Sequence, residues 1–240
     1  MSGANHLSVE SSLPDKLDML RASPMFAGLQ EESFTRLAIS SRFVGIPKGS
    51  FLFLQHDPAD ALYILRSGEM VVVLSSIDGR EMIIDELKIG DCFGEVALLA
   101  SGTRTAGALA QEDSEVLEIG AKAFLGVLDV EPRLARRMLD IATQRLFKSQ
   151  KRESALAFLD APARVARVLL DMDAADKHGP DKGYITLSQE ELAQRTGLTR
   201  QTVANILGQW RRRAMIITGR GRIMILDRPG LNRIMEQSLL

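Results

Sequence analysis

Cysteine is all but missing from this 240-residue sequence, in which Cys92 stands alone. A single thiol excludes an internal disulfide and leaves no cysteine set for structural zinc or an iron–sulfur cluster. Histidine is scarce as well. His6, His56 and His178 are scattered without ligand spacing, so no metal centre or haem is expected. Long apolar runs are absent, since stretches such as Ala106–Ala110 and Val165–Leu170 are too short or too interrupted to span a bilayer. The N-terminus has no basic region leading into an apolar core, so no secretory signal is expected. Together these absences point to a cytoplasmic chain with no membrane partner. No nucleophile, base and orienting group recur at catalytic spacing, which argues against an enzyme.

One stretch lacks acidic residues altogether. From Thr199 to Leu226 there are six arginines and neither Asp nor Glu. The whole chain carries a formal charge of −1, yet residues 1–159 balance at −5 and residues 160–240 at +4. That asymmetry places a nucleic-acid surface in the C-terminal third and limits non-specific adhesion by the rest.

The local pattern there is specific. Ser188 followed by Glu191 reads as a capping box opening a short helix, and Gly197 supplies the left-handed residue that ends it. Thr199 caps a second helix whose apolar face is Val203, Ile206 and Leu207, while Arg200, Gln201 and Asn205 open the opposite face. Those side chains suit base edges in a major groove. Arg211, Arg212 and Arg213 close the helix. A predicted hairpin over Ile216–Ile225 then carries Arg220 and Arg222 at its Gly-rich tip. The set expected on DNA is Ser188, Thr199, Arg200, Gln201, Thr202 and Asn205, with Arg220 and Arg222 from the wing. The bland alternative is a pair of packed helices with a solvated polar face.

Upstream the texture is β. Short apolar runs at Arg42–Ile46, Phe51–Leu54, Ala61–Ser67, Met70–Ser75, Met82–Leu87, Ala106–Ala110 and Ser114–Ile119 are punctuated by Gly, Pro and Asp. Such spacing predicts a small antiparallel barrel or sandwich. Within it, Gly94 and Glu95 precede Arg104 and Thr105 by about ten residues on a predicted helical excursion. Arg104 can grip a phosphate bidentately, Thr105 adds a donor, and amides around Glu95, Val96 and Ala97 can nest an anion. Glu95, which only accepts when ionised, suits a ribose 2′-hydroxyl. A plain Glu95–Arg104 salt bridge tightening the loop fits the same spacing.

Pro132–Phe158 is free of Gly and Pro after its first residue and predicts one long helix. Leu139, Ala142, Leu146, Ser149, Glu153 and Leu156 recur at alternating three- and four-residue spacing, which suits either a dimer seam or packing onto the chain's own sheet. Asp160 to Pro162 interrupts the helix and reads as a hinge.

These motifs resemble the CRP/FNR family of bacterial transcription regulators along nearly the whole chain. The match includes Pro47–Gly49, Asp57–Asp60, Phe93–Leu98 with Arg104 and Thr105, and Ala157–Asp160 before the winged helices. The resemblance implies an α+β fold. A mobile arm at residues 1–13 would precede a cyclic-nucleotide-binding β-roll at 14–130, a dimerisation helix at 131–159, and a winged helix-turn-helix at 160–240. It implies Gly94 and Glu95 on the ribose, Arg104 and Thr105 on the cyclic phosphate, and Arg145 and Ser149 near the ligand. Ser149 and Gln150 stand where cyclic-AMP sensors of the family often carry Thr and Ser, so cyclic AMP or cyclic GMP remains open as effector. Implied partners are palindromic double-stranded DNA, a second copy of the chain and RNA polymerase. Control by another ligand, by Cys92 redox chemistry or by no signal at all fits the same fold, as does a sensing module that regulates a protein partner.

Overall fold

The structure, a computed structural model, describes residues 7–9, 12–100, 102–174 and 183–238. The chain divides into two compact units, one on residues 1–79 and 83–145, the other on residues 80–82 and 146–240.

In the first unit, strand β1 (Leu7–Val9) is followed by helices α1 (Leu13–Ala22) and α2 (Glu31–Ile39). Then come β2 (Ser41–Ile46), β3 (Phe51–Phe53), β4 (Ala61–Ser67), β5 (Met70–Ser75), β6 (Glu81–Leu87) and β7 (Cys92–Phe93). A short helix α3 (Glu95–Ala100) leads to β8 (Gly107–Ala110), β9 (Ser114–Gly120) and α4 (Ala121–Leu128). The strands form two sheets, ordered β1-β2-β9-β4-β7 and β3-β8-β5-β6. The predicted antiparallel sandwich is what forms, and its ladders β2–β9, β4–β9 and β5–β8 are antiparallel.

Two-residue periodicity explains how β4 is buried on both faces. Leu62 and Ile64 join a core with α1, α2 and α4, whereas Ala61, Tyr63 and Leu65 face the interior of the roll. β9 divides the same way, with Leu117 and Ile119 toward the helices and Val116 inward. One sheet therefore carries helices on one side and the second sheet on the other.

The N-terminal arm expected at residues 1–13 needs correction where it is described. Leu7–Val9 pair antiparallel with Phe43–Gly45, because the outer edge of β2 offers unpaired backbone groups that an extended segment can satisfy. Leu13 already belongs to α1.

Helix α5 (Pro132–Phe158) runs unbroken over its predicted span. The acid just before it has a different use from the one its position suggests. Glu131 is buried, and its carboxylate accepts from Ser33 Oγ at 2.6 Å and from Gln30 N, the cap of α2, at 3.0 Å. Those bonds, Ser33's first, hold the carboxyl below its ordinary value. Their stabilisation is present above pH 4.5 and lost as pH falls through the lowered value. Glu131→Ala leaves the buried Ser33 hydroxyl without this acceptor and uncaps the Gln30 amide, and should cost about 1–3 kcal/mol in urea unfolding.

Beyond Met138 no α5 side chain is fully buried, and Leu139, Leu146 and Phe147 are each more than half exposed. Packing onto the chain's own sheet therefore accounts only for the start of this helix.

The second unit contains α6 (Ala161–Ala174), β10 (Ile185–Thr186), α7 (Gln189–Thr196), α8 (Arg200–Arg212), β11 (Ile216–Gly219), β12 (Arg222–Ile225) and α9 (Arg228–Gln237). The helix break falls where Asp160 predicts it, and the Asp160 carboxylate caps α6 by accepting from Ala163 N at 2.9 Å. Val165, Leu169, Leu192, Val203, Leu207 and Trp210 form its core. Ile216–Ile225 is the predicted hairpin, but β10 adds a third strand alongside β12.

Candidate functional site

In the first unit, the turn between β7 and α3 is set by Gly94 at φ +83°. A Cβ there would sit 2.9 Å from Arg104 Nη1 and 3.3 Å from the Tyr63 ring, so the close approach requires glycine. Arg104, 2 % exposed, donates to Gly94 O at 3.0 Å and to Tyr63 Oη at 3.3 Å. Its guanidinium lies over the rings of Phe53 and Tyr63, 4.2 and 5.3 Å from their centroids. Phe93 completes an aromatic wall with these two rings. Burial pushes the Tyr63 phenol up to about 12, so it stays a neutral donor and acceptor.

Glu95 is the first residue of α3 and is 5 % exposed. Its Oε1 accepts from Arg145 Nη1, while Arg145 Nη2 donates to Cys92 O at 2.7 Å and Asp85 lies 4.0 Å from Arg145 Nε. The direct Glu95–Arg104 salt bridge is thus not what the chain makes: Arg145 takes the carboxylate, and Arg104 is held by a carbonyl, a phenol and two rings, with the exposed Asp60 carboxylate 3.9 Å from its Nη2. Burial raises the Glu95 carboxyl above its ordinary value, and Arg145 pulls it back.

Each of the two residues retains one orphan atom. Glu95 Oε2 and Arg104 Nε are buried without a hydrogen-bond partner. One is an acceptor and the other a donor, and leaving both unsatisfied is costly unless a ligand or water meets them. Of the other expected residues, Val96 is about half exposed, Ala97 is buried and Thr105 is exposed. Ser149 and Gln150 belong to the second unit, where Ser149 Oγ donates to Glu153 Oε1 at 2.9 Å.

Sequence reasoning missed Phe53, Tyr63 and Asp85, whose only signal was strand alternation. Cys92 is buried. Burial first, then Glu95, pushes its thiol well above the ordinary value, which disfavours the reactive thiolate a redox sensor needs.

In the second unit, Ser188 caps α7 by accepting from Glu191 N at 3.0 Å. The Glu191 carboxylate, expected to complete the capping box, is engaged instead by Arg195 at 2.7 Å. Gly197 ends α7 at φ +66°, and Thr199 caps α8 by accepting from Thr202 N at 3.2 Å. Val203, Ile206, Leu207 and Trp210 turn inward, leaving Arg200, Gln201 and Asn205 exposed. Gln201 Nε2 donates to Asn205 Oδ1 at 3.1 Å, one turn on. A groove of about 270 Å³ gathers Ser188 and Arg200 with Arg220 and Arg222 of the wing. Gln201, Thr202 and Asn205 lie outside its lining. Arg222 stacks on Tyr184, 4.8 Å from the ring centroid.

Residues 43–131 match the model of the cyclic nucleotide-binding domain, and residues 163–234 that of the Crp-like helix-turn-helix domain. The cAMP-activated global transcriptional regulator CRP of Pasteurella multocida is 35% identical over 67% of this chain and 78% of its own. The cyclic AMP receptor protein of Thermus thermophilus is 30% identical over 90% of this chain and 98% of its own. Among solved structures, a CRP-family transcriptional regulator of Thermus thermophilus superposes with a TM-score of 0.66 at 27% identity, covering 82% of this chain and 98% of that one.

Proposed function

Because this chain belongs to the CRP/FNR family of transcription regulators, we propose that it is a homodimer whose grip on palindromic DNA is set by cyclic AMP or cyclic GMP. A cyclic nucleotide-binding domain and a Crp-like helix-turn-helix on one chain make it a DNA-binding transcription regulator, in a family of regulators rather than enzymes.

The two orphan atoms, Glu95 Oε2 and Arg104 Nε, support cyclic-nucleotide control. A bound cyclic nucleotide supplies a ribose hydroxyl to donate and an anionic phosphate to accept. Glu95 takes the hydroxyl, with Gly94 allowing the ribose to approach. Arg104 and Thr105 hold the phosphate beside the backbone of Val96 and Ala97. Arg145 orients Glu95, and Ser149 and Gln150 read the base. The half-exposed apolar side chains of α5 supply the dimer seam. Effector binding then works as a population shift. It favours the arrangement in which two copies of α8 sit one DNA turn apart, with the break at Asp160 as the hinge and RNA polymerase as the downstream partner.

Calorimetric titration of the full-length protein with cyclic AMP and cyclic GMP in parallel tests this. Micromolar binding of either supports the reading, and the ratio of affinities reports base selection. Binding of neither sinks the effector assignment and leaves the DNA-binding regulator. The same titration carries a pH signature. The Glu95 carboxyl is raised, so it takes up a proton above pH 4.5 and loses an acceptor. Affinity should therefore fall as pH is lowered toward that value, and Glu95→Gln should bind weakly and without that dependence.

A further inference from the structure

Arg104 is a buried cation held by neutral partners. Nη1 donates to Gly94 O at 3.0 Å and Nη2 to Tyr63 Oη at 3.3 Å, whereas Nε has no partner among the described residues. A buried charge is ordinarily paired with an opposite one. Its ion-pair partner among the described residues, Asp60, lies 3.9 Å from Nη2 with its side chain 90 % exposed. A carbonyl and a phenol hold the guanidinium without cancelling its charge. Burial keeps that phenol neutral, pushed up to about 12. A full positive charge is thereby kept in place for an anion.

The same contacts fix which edge of the group an anion meets. A guanidinium is planar and presents its donors in a rigid fork. Both terminal nitrogens are engaged, and the central carbon lies over the Phe53 ring, 4.2 Å from its centroid. The side edge carrying Nε is what remains.

Tyr63 is built to hold that orientation. It sits within β4, paired with Phe93 of β7 on one side and Glu118 of β9 on the other. Its ring packs on Phe53 and Phe93, with centroids 5.6 Å away in each case. Backbone ladders on both sides and a packed ring leave the hydroxyl little freedom to follow a moving arginine.

We propose that Tyr63 is a positioning residue, whose hydroxyl holds Arg104 so that a cyclic phosphate is met along the Nε edge and its two exocyclic oxygens are told apart. Those oxygens project differently from the phosphate ring, one axial and one equatorial. A guanidinium free to turn serves either, whereas a clamped one offers them unequal donors. The inference rests on the cyclic-nucleotide reading and adds to it a residue and a stereochemical preference. The rival account makes Tyr63 only a core ring of the roll, its hydroxyl a passive partner for a buried arginine.

Calorimetry on the full-length protein compares wild type with Tyr63→Phe, which keeps the ring and its packing and loses one hydroxyl. The ligands are cyclic AMP, cyclic GMP and the two phosphorothioate diastereomers of each. In these, sulfur, a poorer acceptor, replaces one exocyclic oxygen or the other. Wild type should prefer one diastereomer by about tenfold. Tyr63→Phe should bind the parent nucleotide about three- to tenfold more weakly, and its ratio between diastereomers should shrink toward one. The ratio decides. An unchanged ratio in the variant, whether or not affinity falls for every ligand alike, marks a merely structural role and overturns the proposal. So does a wild type that binds cyclic nucleotides without distinguishing the diastereomers, an outcome that leaves the cyclic-nucleotide reading intact. Binding of no nucleotide by wild type removes both.

Discussion

Arg104→Ala should weaken cyclic-nucleotide binding by about 100- to 1,000-fold while the protein stays folded. The size follows from the setting. Arg104 is 2 % exposed, and losing one member of a buried, hydrogen-bonded charge pair costs about 2–5 kcal/mol. The wall behind it is part of the sheets, since Phe53, Tyr63 and Phe93 lie on β3, β4 and β7 and pack on one another. The guanidinium is therefore pre-aimed, and little of its binding energy goes into ordering it.

Two effects of the substitution oppose each other in the unliganded protein. It removes a buried cation, which favours folding. It also strips Gly94 O and Tyr63 Oη of a donor and leaves a gap beside two rings, which disfavours it. Circular dichroism melts should show a small net change. Arg104→Lys separates charge from shape, because an ammonium retains the charge but not the planar fork that stacks on Phe53. That variant should keep only part of the affinity. Full retention by lysine would mean that charge alone is recognised. Wild-type affinity in the alanine variant would remove the phosphate assignment altogether.

How legible this site was depends on the range over which each signal acts. β4 and β5 form over the stretches their apolar runs mark, Ala61–Ser67 and Met70–Ser75, because the turn between them is local and glycine-bearing. α5 begins at Pro132 and ends at Phe158 as predicted, since nothing between them breaks a helix. Gly94, Glu95 and Arg104 were readable because one loop carries all three. Tyr63, 41 residues from Arg104, carries no such signal, and Arg145, 50 residues from Glu95, was placed near the ligand only by the family resemblance; the fold brings each pair together. β7 and β10 are two residues long, too short for a periodicity to register. The rise of the Glu95 and Cys92 values likewise follows from burial, which is a property of the packed roll rather than of nearby sequence.

The same distinction between local and assembled features governs the DNA face, where Arg200→Ala should relax base preference at a single position in each half-site. Arg200 is the first residue of α8 and is exposed. A cation at a helix N-terminus is disfavoured by the dipole, so its presence there is not explained by helix stability. Its neighbours Gln201 and Asn205 share the exposed face. Gln201 Nε2 is committed to Asn205 Oδ1 at 3.1 Å, which leaves Gln201 Oε1 and Asn205 Nδ2 to meet an adenine edge, while Arg200 suits guanine O6 and N7. One bidentate contact discriminates by about 1–3 kcal/mol, and a symmetric pair of half-sites doubles that in free energy. Competition binding against a randomised duplex library at fixed salt should show one position per half-site losing its preference while its neighbours keep theirs. Arg220→Ala in the wing should behave differently, weakening all sequences alike and lowering the salt slope by about one per subunit, as a phosphate contact does. If Arg200→Ala instead produced that uniform loss, Arg200 would be a positioning contact and the base reading would pass to Gln201 and Asn205.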